Sequence, residues 1–224
     1  MLKKIIIAST LLLVNTAFAF TLYGGTPYVG AQTGILYNLF QFNDGFANSY
    51  TPGSQSIPYG VFVGIGGAIS KYIYINGEGF LNGNTQIQAR TTTLDGSNNG
   101  QVELSSRYNY GGSILPGLIF NNNNTQVYLR LGFVRTNFYY TINVNSYVAN
   151  NTTQTGFQSG IGIKTKLTSI NSHLELRGDY IYTNSLAFNT ENFVNNNTGG
   201  SAITSYHINP TLGQFTIGVD YNFG

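Results

Sequence analysis

The chain has no cysteine, no tryptophan, one methionine and two histidines, and only 8% of its 224 residues are charged. Without cysteine there is no disulfide framework and no thiolate metal site. So few charges would protect a water-soluble domain poorly from association. After residue 19 no apolar run approaches the ~20 residues that carry a helix across a bilayer. P-loop, dinucleotide and EF-hand spacings are all missing, so no cofactor or metal is expected. What the chain does have is 28 glycines, 17 tyrosines and 15 phenylalanines, at a mean hydropathy of −0.04. Alternation of apolar and polar residues along strands averages to such a value.

Residues 1–19 read as a secretory leader. Lys3 and Lys4 form its basic start, Ile5 to Val14 its apolar stretch, and Ala17-Phe18-Ala19 a small-x-small cleavage site. Cleavage after Ala19 leaves residues 20–224 as the mature domain. Removing Lys3 and Lys4 from the ten Lys and Arg leaves eight, against eight Asp and Glu. The slight basic balance therefore belongs to the leader, and a nucleic-acid partner is not expected.

The other end is more specific. From Thr216 to Phe223, Ile217, Val219, Tyr221 and Phe223 alternate with Thr216, Gly218, Asp220 and Asn222. Such a strand has one face for hydrocarbon and one for a polar interior. Seven more segments alternate in the same way. Their outward sets are Val29, Ala31, Ile35 and Tyr37; Val61, Val63 and Ile65; Ile73, Ile75 and Leu81; Tyr108, Tyr110, Ile114 and Leu118; Val127, Leu129, Leu131 and Phe133; Phe157, Ile161 and Ile163; and Leu174, Leu176, Tyr180 and Tyr182. Short turns at Ser70–Tyr72, Asn121–Asn124 and Ser169–Ser172 alternate with long polar connections at Phe40–Ser56, Gln86–Gly100, Asn143–Thr155 and Ala187–Ser205. The expected fold is all-β: a transmembrane antiparallel up-and-down barrel of eight strands, or ten if a long connection hides a hairpin.

The final strand resembles the C-terminal sorting signal of bacterial outer-membrane β-barrels, with Gly218, Tyr221 and Phe223 at its specified positions and Gly224 as one extra residue. The whole mature chain is similar in pattern to small OmpA/OmpX-type barrels. That resemblance implies residence in a Gram-negative outer membrane among lipids and lipopolysaccharide. It also implies insertion by the barrel-assembly machinery and a monomeric surface scaffold whose four loops present a host or surface ligand site.

Hairpin register follows from the parity. Residues opposed in an antiparallel pair have a constant index sum and share a face. Pairing Thr168 with His173 sets Lys164 against Arg177 and Ile161 against Tyr180. Pairing Phe120 with Thr125 sets Leu118 against Val127, and an odd-length turn is required around Lys71. The inward parity then gathers Glu78, Arg107, Arg130, Lys164, Glu175, Arg177, Asp179 and Asp220, four acids and four bases. Buried charges need partners, and eight strands leave just enough room for side chains to fill the lumen. These eight are expected to form a neutral ion-pair plug, with a porin-like small-solute or ion channel as the alternative.

An enzyme is not expected. The two histidines, His173 and His207, fall at opposite ends of the barrel and cannot share a metal. A lipid A-modifying reaction at His207 would need Ser201 or Ser205 as nucleophile and Glu191 as the orienting acid. His207-Ile208-Asn209 lacks the His-x-Ser spacing of lipid A deacylases.

Overall fold

The computed structural model describes residues 25–43, 49–85, 89–92, 101–120, 124–144, 146–190, 193–195, 202–204 and 207–224. The leader lies outside the described residues. Eight long strands carry the fold: β1 (Thr26–Asn43), β2 (Pro58–Ala68), β3 (Ile73–Asn84), β4 (Gln101–Phe120), β5 (Thr125–Val144), β6 (Ser146–Lys166), β7 (Leu174–Ser185) and β8 (His207–Asn222). Each pairs antiparallel with its neighbour in sequence, and β8 pairs with β1 from Tyr28↔Asn222 to Asn43↔His207. The sheet therefore closes into a ring with no free edge, the condition for strands to survive in hydrocarbon. The ring has eight strands and not ten. The shorter segments Gly53–Ser56 and Ala89–Thr92 pair onto β1 and β4 and raise the wall at one end without widening it.

The registers agree with the parity argument. Lys164 lies opposite Arg177 and Ile161 opposite Tyr180; Leu118 lies opposite Val127; and Ala68 pairs with Tyr74 around an odd turn centred on Lys71. The outward sets of β1, β4 and β5 are largely exposed, including Ile35, Ile114, Leu129 and Phe133. Tyr221 and Phe223 mark the turn end of the apolar band, and Tyr37 and Tyr182 mark the other end beside Gly213. Eight residues separate Tyr221 from Gly213, about 27 Å along the strand and roughly 20 Å at a ~40° tilt. That is close to the ~25 Å band of a transmembrane barrel.

Three expectations are corrected. The connection expected at Asn143–Thr155 is not a loop, because β5 and β6 continue through Asn143↔Tyr147 to Val144↔Ser146. Val148 packs against the apolar cluster inside the ring, so the Asn-rich stretch keeps the period of a strand. Likewise β1 continues beyond Leu39 to Asn43, because Phe40 and Phe42 are buried inside. Strict alternation of long and short connections is therefore lost. The third correction is Arg107, at a β-bulge: Ser106 pairs with Phe138 and Tyr108 with Asn137, leaving Arg107 unpaired. The extra residue switches parity. It turns Val102, Leu104 and Ser106 inward and leaves Arg107 outside the lumen, its guanidinium 4.4 Å from the Tyr139 ring and donating to Asn151.

Candidate functional site: a filled lumen

Inward residues stack in layers along the barrel axis. In the turn half lies the charged layer, with the apolar cluster of Tyr74, Leu115, Ile119 and Tyr128 beside it. Glu78 on β3 accepts from Arg130 on β5 at 2.7 Å and from Arg177 on β7 at 2.6 Å. Asp179 binds Arg177 Nε at 3.0 Å and has Arg130 Nε at 3.5 Å. Two acids and two arginines from three strands thus form a closed box. Tyr28 donates to Glu78 at 3.2 Å and Tyr128 donates to Asp179 at 2.8 Å. Arg177 also lies 4.1 Å from the Phe62 ring, so its flat face is covered as well as its edge.

A second pair, Lys164–Glu175 at 2.6 Å, sits beside the box, with Lys164 5.1 Å from the Tyr28 ring. Asp220 lies opposite Glu175 in the β7–β8 register and is 1% exposed; neither of its carboxylate oxygens has a hydrogen-bond partner among the described residues. With Arg107 outside, the inward bases are Arg130, Lys164 and Arg177 together with Lys166, which lies opposite Glu175 and lines the turn-end vestibule; the acids are Glu78, Glu175, Asp179 and Asp220. The correction is therefore to the membership of the set, Lys166 standing where Arg107 was expected.

Glycine provides the room. A Cβ on Gly162 would fall 2.4 Å from the Tyr128 ring, and one on Gly218 would fall 2.8 Å from Ala31 O and 3.2 Å from the Arg177 side chain. Gly218 therefore has a packing reason independent of any sorting signal. Tyr221 stacks on His173 with ring centres 5.6 Å apart and meets Phe223 edge-on at 5.2 Å. Phe223 N donates to Pro27 O, tying the chain's last residues to β1 across the closure.

Above the charged layer come neutral amides and hydroxyls. Gln32 donates to Asn82, Asn82 to Asn109, and Gln158 to Ser113, all within 2.8–2.9 Å. The space left here is about 10 Å³, close to the smallest that admits one water. A third layer at the loop end is apolar. Leu36, Phe40, Phe42, Val102, Leu104, Phe138, Ile142, Phe188, Ile208 and Leu212 form one cluster, with Phe138 stacked on Phe188. This cap escaped the sequence reading, although inward parity continued past Leu39 would have found Phe40 and Phe42. At the turn end a vestibule of about 200 Å³ reaches Lys164 and Glu175 and goes no further than the charged layer.

His207 is exposed at the loop end, 2.8 Å from Asn189, and His173 is at the turn end, near Asn222 O. Ser201, Ser205 and Glu191 lie outside the described residues.

No protein-family model matches the chain, and no curated protein matches its sequence. Its fold is similar to solved outer-membrane proteins at low identity. The attachment invasion locus protein Ail of Yersinia pestis is 11% identical, with 87% of this chain and 98% of that one covered and a TM-score of 0.39. Neisserial surface protein A is 13% identical, covering 88% and 97%, with a TM-score of 0.44. The outer-membrane protease OmpT of Escherichia coli is 9% identical, covering 88% and 97%, at 0.41. Likenesses this weak carry no weight for function, which has to come from the chain's own geometry.

Proposed function

We propose that this protein is a monomeric outer-membrane β-barrel that serves as a surface-presentation scaffold and does not conduct. The filled lumen is the observation that carries this reading. A charged box, a hydrogen-bonded amide layer and an apolar cap follow one another along the axis, and the amide layer leaves space for about one water. Each layer suffices to stop solutes, and ions would have to break paired, desolvated charges to pass. In this reading the inward charges form a structural plug. The turn end faces the periplasm and the loop end faces outside, where connections are free to meet a host or surface ligand. Tyr221 and Phe223, outward at the turn end, are the side chains the assembly machinery would read.

Refolded protein in planar bilayers tests the plug. Brief small openings or none are expected; sustained conductance of general-porin size would replace the scaffold reading with a channel. The non-enzymatic reading has a separate test. Lipid A from cells with and without the gene, and with His207→Ala, should give identical mass spectra. A difference of one acyl chain that vanishes in the variant would make the protein a lipid A-modifying enzyme.

A further inference from the structure

Polar and charged residues are rare on the outward face, and two of them stand together above a dent in the apolar band. Arg135 on β5 and Arg107 on the β4 bulge are the only outward arginines or lysines in the eight strands. Tyr110 is the register partner of Arg135, which places Arg107 three residues, or about 10 Å, further along β4. Neither arginine has a carboxylate partner among the described residues, and Arg107 Nε is buried without any partner. Glu103, the one acid in β4 to β6, lies four residues beyond Arg107 and accepts from Thr141.

Directly below Arg135 the surface falls into an open groove of about 420 Å³, walled by Ile114, Leu131, Phe133 and Phe157. The groove lies over Gly112, an outward position without a side chain, whose register partner Gly79 is also bare. A Cβ on Gly112 would meet nothing closer than Glu78 O at 3.5 Å, so packing does not demand glycine there. Phe133 and Phe157 meet edge-on at 5.9 Å and form the upper wall, two residues below Arg135.

An apolar trough ending under two guanidinium groups with no carboxylate partner among the described residues, at the level where headgroups begin, matches one kind of ligand. We propose that the β3–β6 face is a binding site for a phosphorylated glycolipid of the outer leaflet. One acyl chain lies in the groove over Gly112, and a phosphate is held by Arg135 with Arg107 as the second donor. Arginine suits this role because its planar fork binds phosphate through two hydrogen bonds at once. The inference rests on the membrane orientation proposed above.

The test uses the full mature chain, refolded in detergent and titrated with purified lipid A or with phosphatidylglycerol, bound lipid being counted by native mass spectrometry. Wild type should retain one lipid A, and phosphatidylglycerol should bind more weakly. Arg135→Gln should weaken lipid A binding about tenfold or more, the scale of a lost hydrogen bond to a charged group. Gly112→Leu, which fills the trough, should weaken both lipids. Leu131→Trp blocks the same space from the opposite strand and replaces Gly112→Leu should that variant fail to fold, as judged by heat-shifted mobility. Equal binding by wild type and Arg135→Gln, or undiminished binding with the trough filled, would overturn the site. Preference for phosphatidylglycerol would overturn the glycolipid assignment. Density fractionation of cell membranes tests the outer-membrane reading independently of either result.

Discussion

The two ends of the barrel obey opposite rules. Along β5, the outward side chains run Val127, Leu129, Leu131, Phe133 and then change to Arg135, Asn137, Tyr139 and Thr141. The inward ones run from Tyr128 and Arg130 to Phe138, Tyr140 and Ile142. β1 makes the same exchange, with Ile35, Tyr37 and Leu39 outward before Gln41 and Asn43, and Phe40 and Phe42 inward. The turn half holds the inward charges, with the small apolar cluster of Tyr74, Leu115, Ile119 and Tyr128 beside them, and is apolar outside; along β1 and β5 the loop half is apolar inside and more polar outside. One strand can hold both patterns because each answers to what surrounds the wall. Hydrocarbon outside leaves the polar groups nowhere to go but the lumen, whereas water outside favours an ordinary apolar core. The exchange between Phe133 and Arg135 therefore marks one edge of the outward apolar band. Beyond it β5 runs nine residues, about 30 Å along the strand, as a water-soluble extension.

The sharpest way to break this contrast is to remove one acid from the charged box. Glu78→Gln leaves Arg130 and Arg177 sharing Asp179 alone, and a buried pair robbed of one partner typically costs about 3–5 kcal/mol. Urea unfolding of refolded protein in lipid should show a global loss of this size; a loss near zero would mean that the box is hydrated. Phe138→Ala strikes the other half. Opening the apolar cap should cost about 3 kcal/mol or more. Because the cap lies beyond the outward apolar band, faster proteolysis at the loop end is expected while the heat-shifted mobility of the barrel persists. Simultaneous loss of both would show that the halves are not separate. The smallest of the three effects is at the seam. Tyr221→Ala removes the stack on His173 and the contact with Phe223, an aromatic gain of about 1 kcal/mol beyond burial. Folded stability should change little, while outer-membrane yield falls and precursor collects in the periplasm. Wild-type yield would leave Tyr221 with a packing role only.

Much of this contrast was legible in local pattern. Period two is a property of the strand itself, so outward and inward sets, and the register across short turns, could be read from residues such as Ile161, Lys164 and Arg177. The stretches misread as loops, Phe40 to Asn43 and Tyr147 to Asn151, carry a strand's alternation in loop-like composition. Asparagine and threonine suit a solvated outer wall as well as they suit a turn.

What the sequence by itself determined is which side of the wall each residue occupies, because successive side chains alternate whatever the strand pairs with. Which acid meets which base was decided only by closure. Glu78 and Arg177 are 99 residues apart in the chain and on strands that are not neighbours, and they meet at 2.6 Å because the ring brings opposite walls together. Tertiary structure also decided the place of Arg107. A bulge inserts one residue where the inward parity must shift to bury Val102 and Leu104, and that demand comes from the apolar cap on the other strands, not from β4 alone.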